Sequence, residues 1–211
     1  GVNGIVESRE LKEHGFSAFY KGEVKDLHLP EYSKADLRIM GVGNALRFTD
    51  HATRQAVEDA GLTANDLREG GVIYGQGGGS TIDTYQIGVK TVERGKPYPA
   101  SPKTLNGVIP TMASGASAWV GIKNPLSAIS LGVSAACATG NFAIGLAARM
   151  VRDGDAPLMV AGGVDSTDWV MCAPFQTITA MSTNGRKLRP DQVSRPFDLH
   201  RDGFVVAEGA G

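Results

Sequence analysis

Cys137 is the residue of this chain whose type and setting best suit covalent chemistry. Small residues surround it in Ala135, Ala136, Ala138 and Gly140. Residues 128–133 are apolar and include the β-branched Ile129 and Val133, which predicts a buried strand. From Cys137 onward Ala, Leu, Met and Phe dominate with no proline before Pro157. That pattern predicts a helix of about 16 residues, ~24 Å long. Cys137 is thus expected where a strand turns into a helix. The first amides of a helix lack intrahelical partners and carry partial positive charge, so they favour a thiolate and can hold an oxyanion formed when sulfur attacks a carbonyl. Small neighbours leave room for a substrate. The competing reading is a small buried hydrophobe among alanines, and the residues alone leave both open.

The other reactive groups are less well placed. Cys172 has no strand-to-helix setting and reads as inert. Two cysteines are too few for a disulfide framework and show no metal-ligand spacing. His51 falls within a helical pattern and reads as a surface or packing residue, and no role is assigned to His14, His28 or His200.

The elements that must position Cys137 follow from periodicity. Pro157 to Asp165 is nearly all apolar, as expected of a parallel strand buried on both faces. With the strand before Cys137 and the helix after it, this segment makes a crossover unit. Residues 70–81 read as a short strand entering a glycine loop. A dinucleotide fingerprint would require glycine at position 80, where the chain has Ser80. Residues 34–60 show helical spacing, with Asp50 a cap for a second helix and Gly61 the stop. Residues 17–25 read as a short exposed strand, 94–103 as a proline-rich loop, and 110–120 as a helix of small residues able to pack closely.

Composition narrows the class. At 211 residues, 42% hydrophobic and 20% charged, the chain can build one sizeable core and is not disordered. A formal net charge of −1 with mixed signs gives no basic stripe for nucleic acid. No apolar run approaches the roughly 20 residues of a membrane span and no signal pattern is visible, so neither nucleic acid nor membrane is expected as a partner and the chain reads as cytoplasmic.

Residues 134–145, Ser-Ala-Ala-Cys-Ala-Thr-Gly-Asn-Phe-Ala-Ile-Gly, resemble the nucleophile motif of the β-ketoacyl-acyl-carrier-protein synthases. Ala161-Gly-Gly-Val-Asp165 is similar to that family's glycine-rich strand end. Ala180-Met-Ser-Thr183 and residues 194–211, Ser-Arg-Pro-Phe-Asp-Leu-His-Arg-Asp-Gly-Phe-Val-Val-Ala-Glu-Gly-Ala-Gly, resemble its closing signature. The blocks occur in the family's order.

The resemblance implies an α/β, thiolase-like fold of layered α-β-α-β-α architecture, with residues 1–211 representing its first half. A strand before Gly1, and a second half after Gly211 carrying two histidines and a lysine, are then expected outside this sequence. Such a half should expose an apolar face that the other covers. Cys137 becomes the acylated nucleophile, and Ile82, Met171 and Phe175 become lining residues of an acyl pocket. Arg195, Asp198, Arg201 and Asp202 either pair to fix a loop near the site or form a solvated charge cluster. The implied reaction is a decarboxylating Claisen condensation with malonyl carrier protein. No cofactor and no metal are expected; the partners are acyl carrier protein and a homo- or heterodimeric subunit.

Three alternatives stand beside this reading. A non-catalytic subunit of the chain-length-factor type usually lacks the nucleophile. A coenzyme A-dependent thiolase relative fits less well with the Arg195–Phe204 block. An α/β-hydrolase would need glycines where the chain has Ala135 and Thr139. The Cys-Ala-Thr-Gly form resembles free-standing fatty-acid synthases more than modular polyketide ones.

Overall fold

The computed structural model describes residues 4–25, 27–97 and 108–211. In chain order the elements are β1 (Ile5–Glu7), α1 (Arg9–Glu13), β2 (Tyr20–Gly22), α2 (Lys34–Met40), α3 (Ala45–Asp59), α4 (Ala64–Leu67) and β3 (Gly71–Gln76). There follow α5 (Thr81–Arg94), α6 (Val108–Thr111), α7 (Gly115–Lys123), β4 (Ser130–Val133), α8 (Thr139–Asp153) and β5 (Met159–Asp165). The remainder are α9 (Trp169–Thr177), α10 (Pro190–Val193), β6 (Val206–Ala207) and β7 (Gly209–Ala210). They divide into two compact units, Leu29–Asp165 with Ala210–Gly211, and Gly1–His28 with Ser166–Gly209.

The unit that carries Cys137 is built on a sheet of order β4-β3-β5-β7. Strand β3 is parallel to both neighbours, with Gly75 opposite Val133 on β4 and Gly163 on β5. Every β3 residue is buried, as a central strand requires, whereas β5 is mostly half-buried rather than enclosed on both faces. Ile73 packs with Ala143 and Ala147 of α8, and Leu131 and Val133 lie against the same cluster. Gly132, between those two, approaches Ser114 at the start of α7, so α7 and α8 cover opposite faces. The close seating of α8 requires a glycine: a Cβ on Gly75 would stand 2.1 Å from Thr139 Cγ2. The outward side of α8 is apolar, with Phe142 61% and Ile144 56% exposed.

Two helix expectations need correction here. The periodic run 34–60 breaks at Gly41 (φ 70), and the amides of Val42 and Gly43 donate to Asp83 at 2.8 and 3.0 Å. Asp83 lies about 40 positions away, and its acceptor oxygens make the break favourable. Asp50 caps nothing. It is a buried residue inside α3 whose carboxylate accepts from Tyr32 Oη, Trp119 Nε1 and Arg54 Nε at 2.9 to 3.0 Å. Gly61 (φ 64) follows the helix end as expected. The small-residue helix of 110–120 is two helices, α6 and α7. Of the loop 94–103, Arg94 ends α5, and residues 98–103 lie outside the described residues.

In the other unit β2 is the middle of a sheet ordered β1-β2-β6, antiparallel to β1 and parallel to β6. The strand expected to be exposed is therefore buried at Tyr20 and Lys21. Lys21 is tolerated because its ammonium donates to Thr167 O at 3.0 Å and has Glu23 and Glu10 at 3.4 and 3.6 Å. Leu11, Phe16, Ala18, Cys172, Met181 and Val206 form the core beside it.

Candidate active site

The chain leaves β4 at Val133 and enters α8 at Thr139, so Cys137, where the helix was expected to begin, sits in the intervening turn two residues ahead of the helix start. The turn is made by its own backbone and one hydroxyl. Ala136 has φ 48, a left-handed conformation that costs an alanine roughly 1–2 kcal/mol. Thr139 Oγ1 donates to Ala136 O at 2.6 Å and accepts from Ala135 N at 2.8 Å. The amides of Ala138 and Thr139 donate to Ala135 O and Ala136 O at 3.1 Å each. These bonds take residues 135–139 for the turn, and the first i to i−4 bond at the start of α8 is Phe142 N to Ala138 O at 3.1 Å. The helix start is displaced because threonine's side chain satisfies backbone groups that a helix would otherwise use. Cys137 is exposed.

Beside this turn lies an open cleft of about 760 Å³, lined by Val133, Ser134 and Ala135 before the cysteine and by Asn141, Phe142 and Leu146 after it. Cys137 itself is not one of the lining residues. The walls are mainly apolar, which suits a hydrocarbon chain better than a charged ligand. At the mouth of the sheet, Ser134 Oγ donates to Gly77 O at 3.2 Å and Gly77 N donates to Asp165 Oδ1 at 3.1 Å. Burial pushes the Asp165 carboxyl above its ordinary range, with the Gly77 amide opposing.

The other expected site residues fall as follows. Ile82 is half-buried, second in α5, in the same unit as Cys137 but outside the cleft lining. Met171 and Phe175 are half-buried one turn apart on α9, in the other unit. Phe175 packs on that unit's core and meets Phe204 edge-on at 5.4 Å, while Met171 N donates to Asp168 Oδ1, the cap of α9. Of the charged quartet, Arg195 pairs with Asp198 at 2.9 Å, and Arg201 donates to the Asp198 carbonyl. Asp202 makes a different set of bonds. It accepts from Ser182 Oγ, Thr183 N and Thr183 Oγ1, and so ties residues 182–183 to the closing segment. Sequence reasoning missed Thr139, Ser134 and Asp165. The available signal was the glycine-rich exits of β3 and β5 next to one another in a parallel sheet.

The family profile described as "Beta-ketoacyl synthase, N-terminal domain" matches residues 23–211. The chain belongs to the β-ketoacyl synthase family. It is 36% identical over 216 residues to 3-oxoacyl-[acyl-carrier-protein] synthase 2 of Vibrio harveyi, covering 100% of this chain and 50% of that one. Against 3-oxoacyl-[acyl-carrier-protein] synthase 1 of Escherichia coli K12 the identity is 32% over 219 residues, again with 100% of this chain and 51% of the relative. A solved β-ketoacyl synthase from Burkholderia phymatum superposes with a TM-score of 0.86 at 27% identity, over 100% of this chain and 51% of that one. The fold is thus the thiolase-like fold of the ketosynthases, and the chain spans about half the length of the curated relatives it matches. Among the described residues no three His, Cys, Asp or Glu side chains gather as a metal would require, and no helix is long and apolar enough to cross a membrane.

Proposed function

We propose that the protein containing this chain is a 3-oxoacyl-acyl-carrier-protein synthase in which Cys137 carries the acyl group. The observation behind this reading is an exposed cysteine in a strained, hydroxyl-braced turn between a parallel strand and a helix, within the matched synthase region. The Cys137 thiolate attacks the carbonyl carbon of an acyl thioester on the carrier protein; a new C–S bond forms, and the carrier's thiolate leaves and takes a proton. Malonyl carrier protein then loses CO2, and the electron pair of the broken C–C bond becomes a carbanion. It attacks the acyl-enzyme carbonyl and expels the Cys137 thiolate, leaving a 3-oxoacyl group on the carrier. Covalent capture divides one difficult condensation into two steps.

Acyl carrier protein is the partner, the working enzyme is a dimer located in the cytoplasm, and Ile82 contributes to the acyl pocket. The ishigamide ketosynthase/chain length factor structure, with a TM-score of 0.73 at 25% identity, favours a second reading as a pairing subunit. The retained cysteine supports the catalytic member of such a pair. The test is intact-mass analysis of the gene's full product after incubation with acyl carrier thioester. One acyl mass should appear on the wild type and none on Cys137→Ala; equal labelling of both removes Cys137 from the mechanism.

A further inference from the structure

Three parallel strands end side by side at the turn that carries Cys137: β4 at Val133, β3 at Gln76 and β5 at Asp165. The first residue beyond β3, Gly77, is gripped on both sides. Its N–H donates to Asp165 Oδ1 at 3.1 Å and its carbonyl accepts from Ser134 Oγ at 3.2 Å. The neighbouring Gln76 Nε2 donates to Gly78 O at 2.5 Å, so the same loop is pinned again one residue on. Ser134 leads directly into Ala135, whose amide is held by Thr139, and into the strained Ala136. A continuous set of bonds therefore runs from Asp165 through Gly77 and Ser134 to the residues either side of the thiol.

As a purely structural element this carboxylate is an inefficient choice. Among the described residues no lysine or arginine forms an ion pair with Asp165, and it is half-buried, so its desolvation is opposed only in part, by a single neutral amide. A carboxylate kept under those conditions at the mouth of the sheet points to a demand for a firm acceptor at this point.

We propose that Asp165 is a positioning residue for acylation of Cys137: by holding Gly77 it fixes Ser134, and through Ser134 the turn that presents the sulfur. This rests on Cys137 being the acylated nucleophile. Misplacement of a reacting group by about 1 Å can reduce a rate by on the order of 100-fold, which sets the scale of the effect.

The experiment measures single-turnover acylation from acyl carrier thioester, with the melting temperature of each variant, on the gene's full product. Asp165→Ala should slow acylation by roughly 10- to 100-fold. Asp165→Asn keeps an oxygen that accepts from Gly77 and should recover most of the wild-type rate, to within about threefold. Ser134→Ala should slow the step by about 10-fold, and the double variant Ser134→Ala/Asp165→Ala should be little slower than the worse single, because both side chains grip one residue. Wild-type acylation by Asp165→Ala overturns the proposal. So does an Asp165→Asn as slow as Asp165→Ala, or a double variant whose slowing is the product of the two singles. If Asp165→Ala fails to fold, the Asp165→Asn and Ser134→Ala rates still decide. Failure of the underlying reading is separate: it appears as acylation of Cys137→Ala, whatever Asp165 variants do.

Discussion

The two cysteines share a side chain and little else. Cys137 is exposed in a turn whose backbone is strained and whose bonds come from a neighbouring threonine. Cys172 is wholly buried in the middle of α9 among Leu11, Phe16 and Met181, and burial pushes its thiol up to about 12. Thiolate chemistry is therefore a property of the place in the fold, and a count of sulfurs in the sequence says nothing about it. At pH 8 a thiol with a pKa of about 12 is ionised in only about one molecule in ten thousand.

The largest expected effect breaks the comparison if it fails. Brief alkylation by iodoacetamide at pH 8, read by peptide mass, should modify Cys137 and leave Cys172 at least about 100-fold behind, since access and ionisation both disfavour the buried thiol. Comparable modification of the two in folded protein would mean that position does not govern reactivity here.

A second effect concerns stability. Cys172→Ser places a hydroxyl among apolar side chains and should cost about 1–3 kcal/mol in urea unfolding, whereas Cys137→Ser, at an exposed position, should change it by less than about 0.5 kcal/mol. The buried thiol also predicts a pH dependence. Its folded pKa lies above the unfolded value of about 8.5, so between roughly pH 9 and 12 the unfolded chain binds fewer protons and stability falls as pH rises, by up to ~1.4 kcal/mol per unit. Cys172→Ala should lack that component; an unchanged slope in the variant would assign the loss to other groups.

How much of this contrast was legible beforehand depends on the distance over which each feature is decided. The strand before Cys137, the helix after it and the parallel strand ending at Asp165 are written in local apolar pattern, and each is present, although the first, expected to be buried, is exposed at Ser130 and only half-buried from Leu131 to Val133. The inertness expected of Cys172 agrees with its burial. What could not be read depends on partners far away in the chain. Gly41 breaks a helical pattern because Asp83 supplies acceptors. Lys21 resembles any solvent lysine until Thr167 O and two glutamates surround it. Asp50 has the residue type of a helix cap, and only the fold brings Trp119 and Tyr32 to it. The two-residue shift of the helix start is local, but it depends on a rotamer of Thr139 that no periodicity encodes.

That rotamer gives the third effect. Thr139→Val keeps the shape that fits beside Gly75 and removes the hydroxyl that serves Ala135 N and Ala136 O. The loss should cost about 1–2 kcal/mol in urea unfolding, while Thr139→Ser should stay near the wild type. Equal behaviour of the two variants would show that volume, not the hydrogen bonds, maintains the turn.

The smallest effect tests the strain itself. Ala136 at φ 48 pays a steric penalty that glycine would not, worth roughly 1–2 kcal/mol, yet glycine adds freedom to the unfolded chain worth roughly 0.5–1 kcal/mol. The opposing terms leave Ala136→Gly within about 1.5 kcal/mol of the wild type, on the stabilising side, as judged by urea unfolding. Ala136→Val sharpens the point, because a β-branched residue is the least compatible with a left-handed backbone and should lose about 2 kcal/mol or more. If valine were tolerated as well as glycine, the backbone at 136 would have a cheaper conformation open to it. The exposed cysteine would then be held only by Thr139, and the difference between the two sulfurs would come down to burial alone.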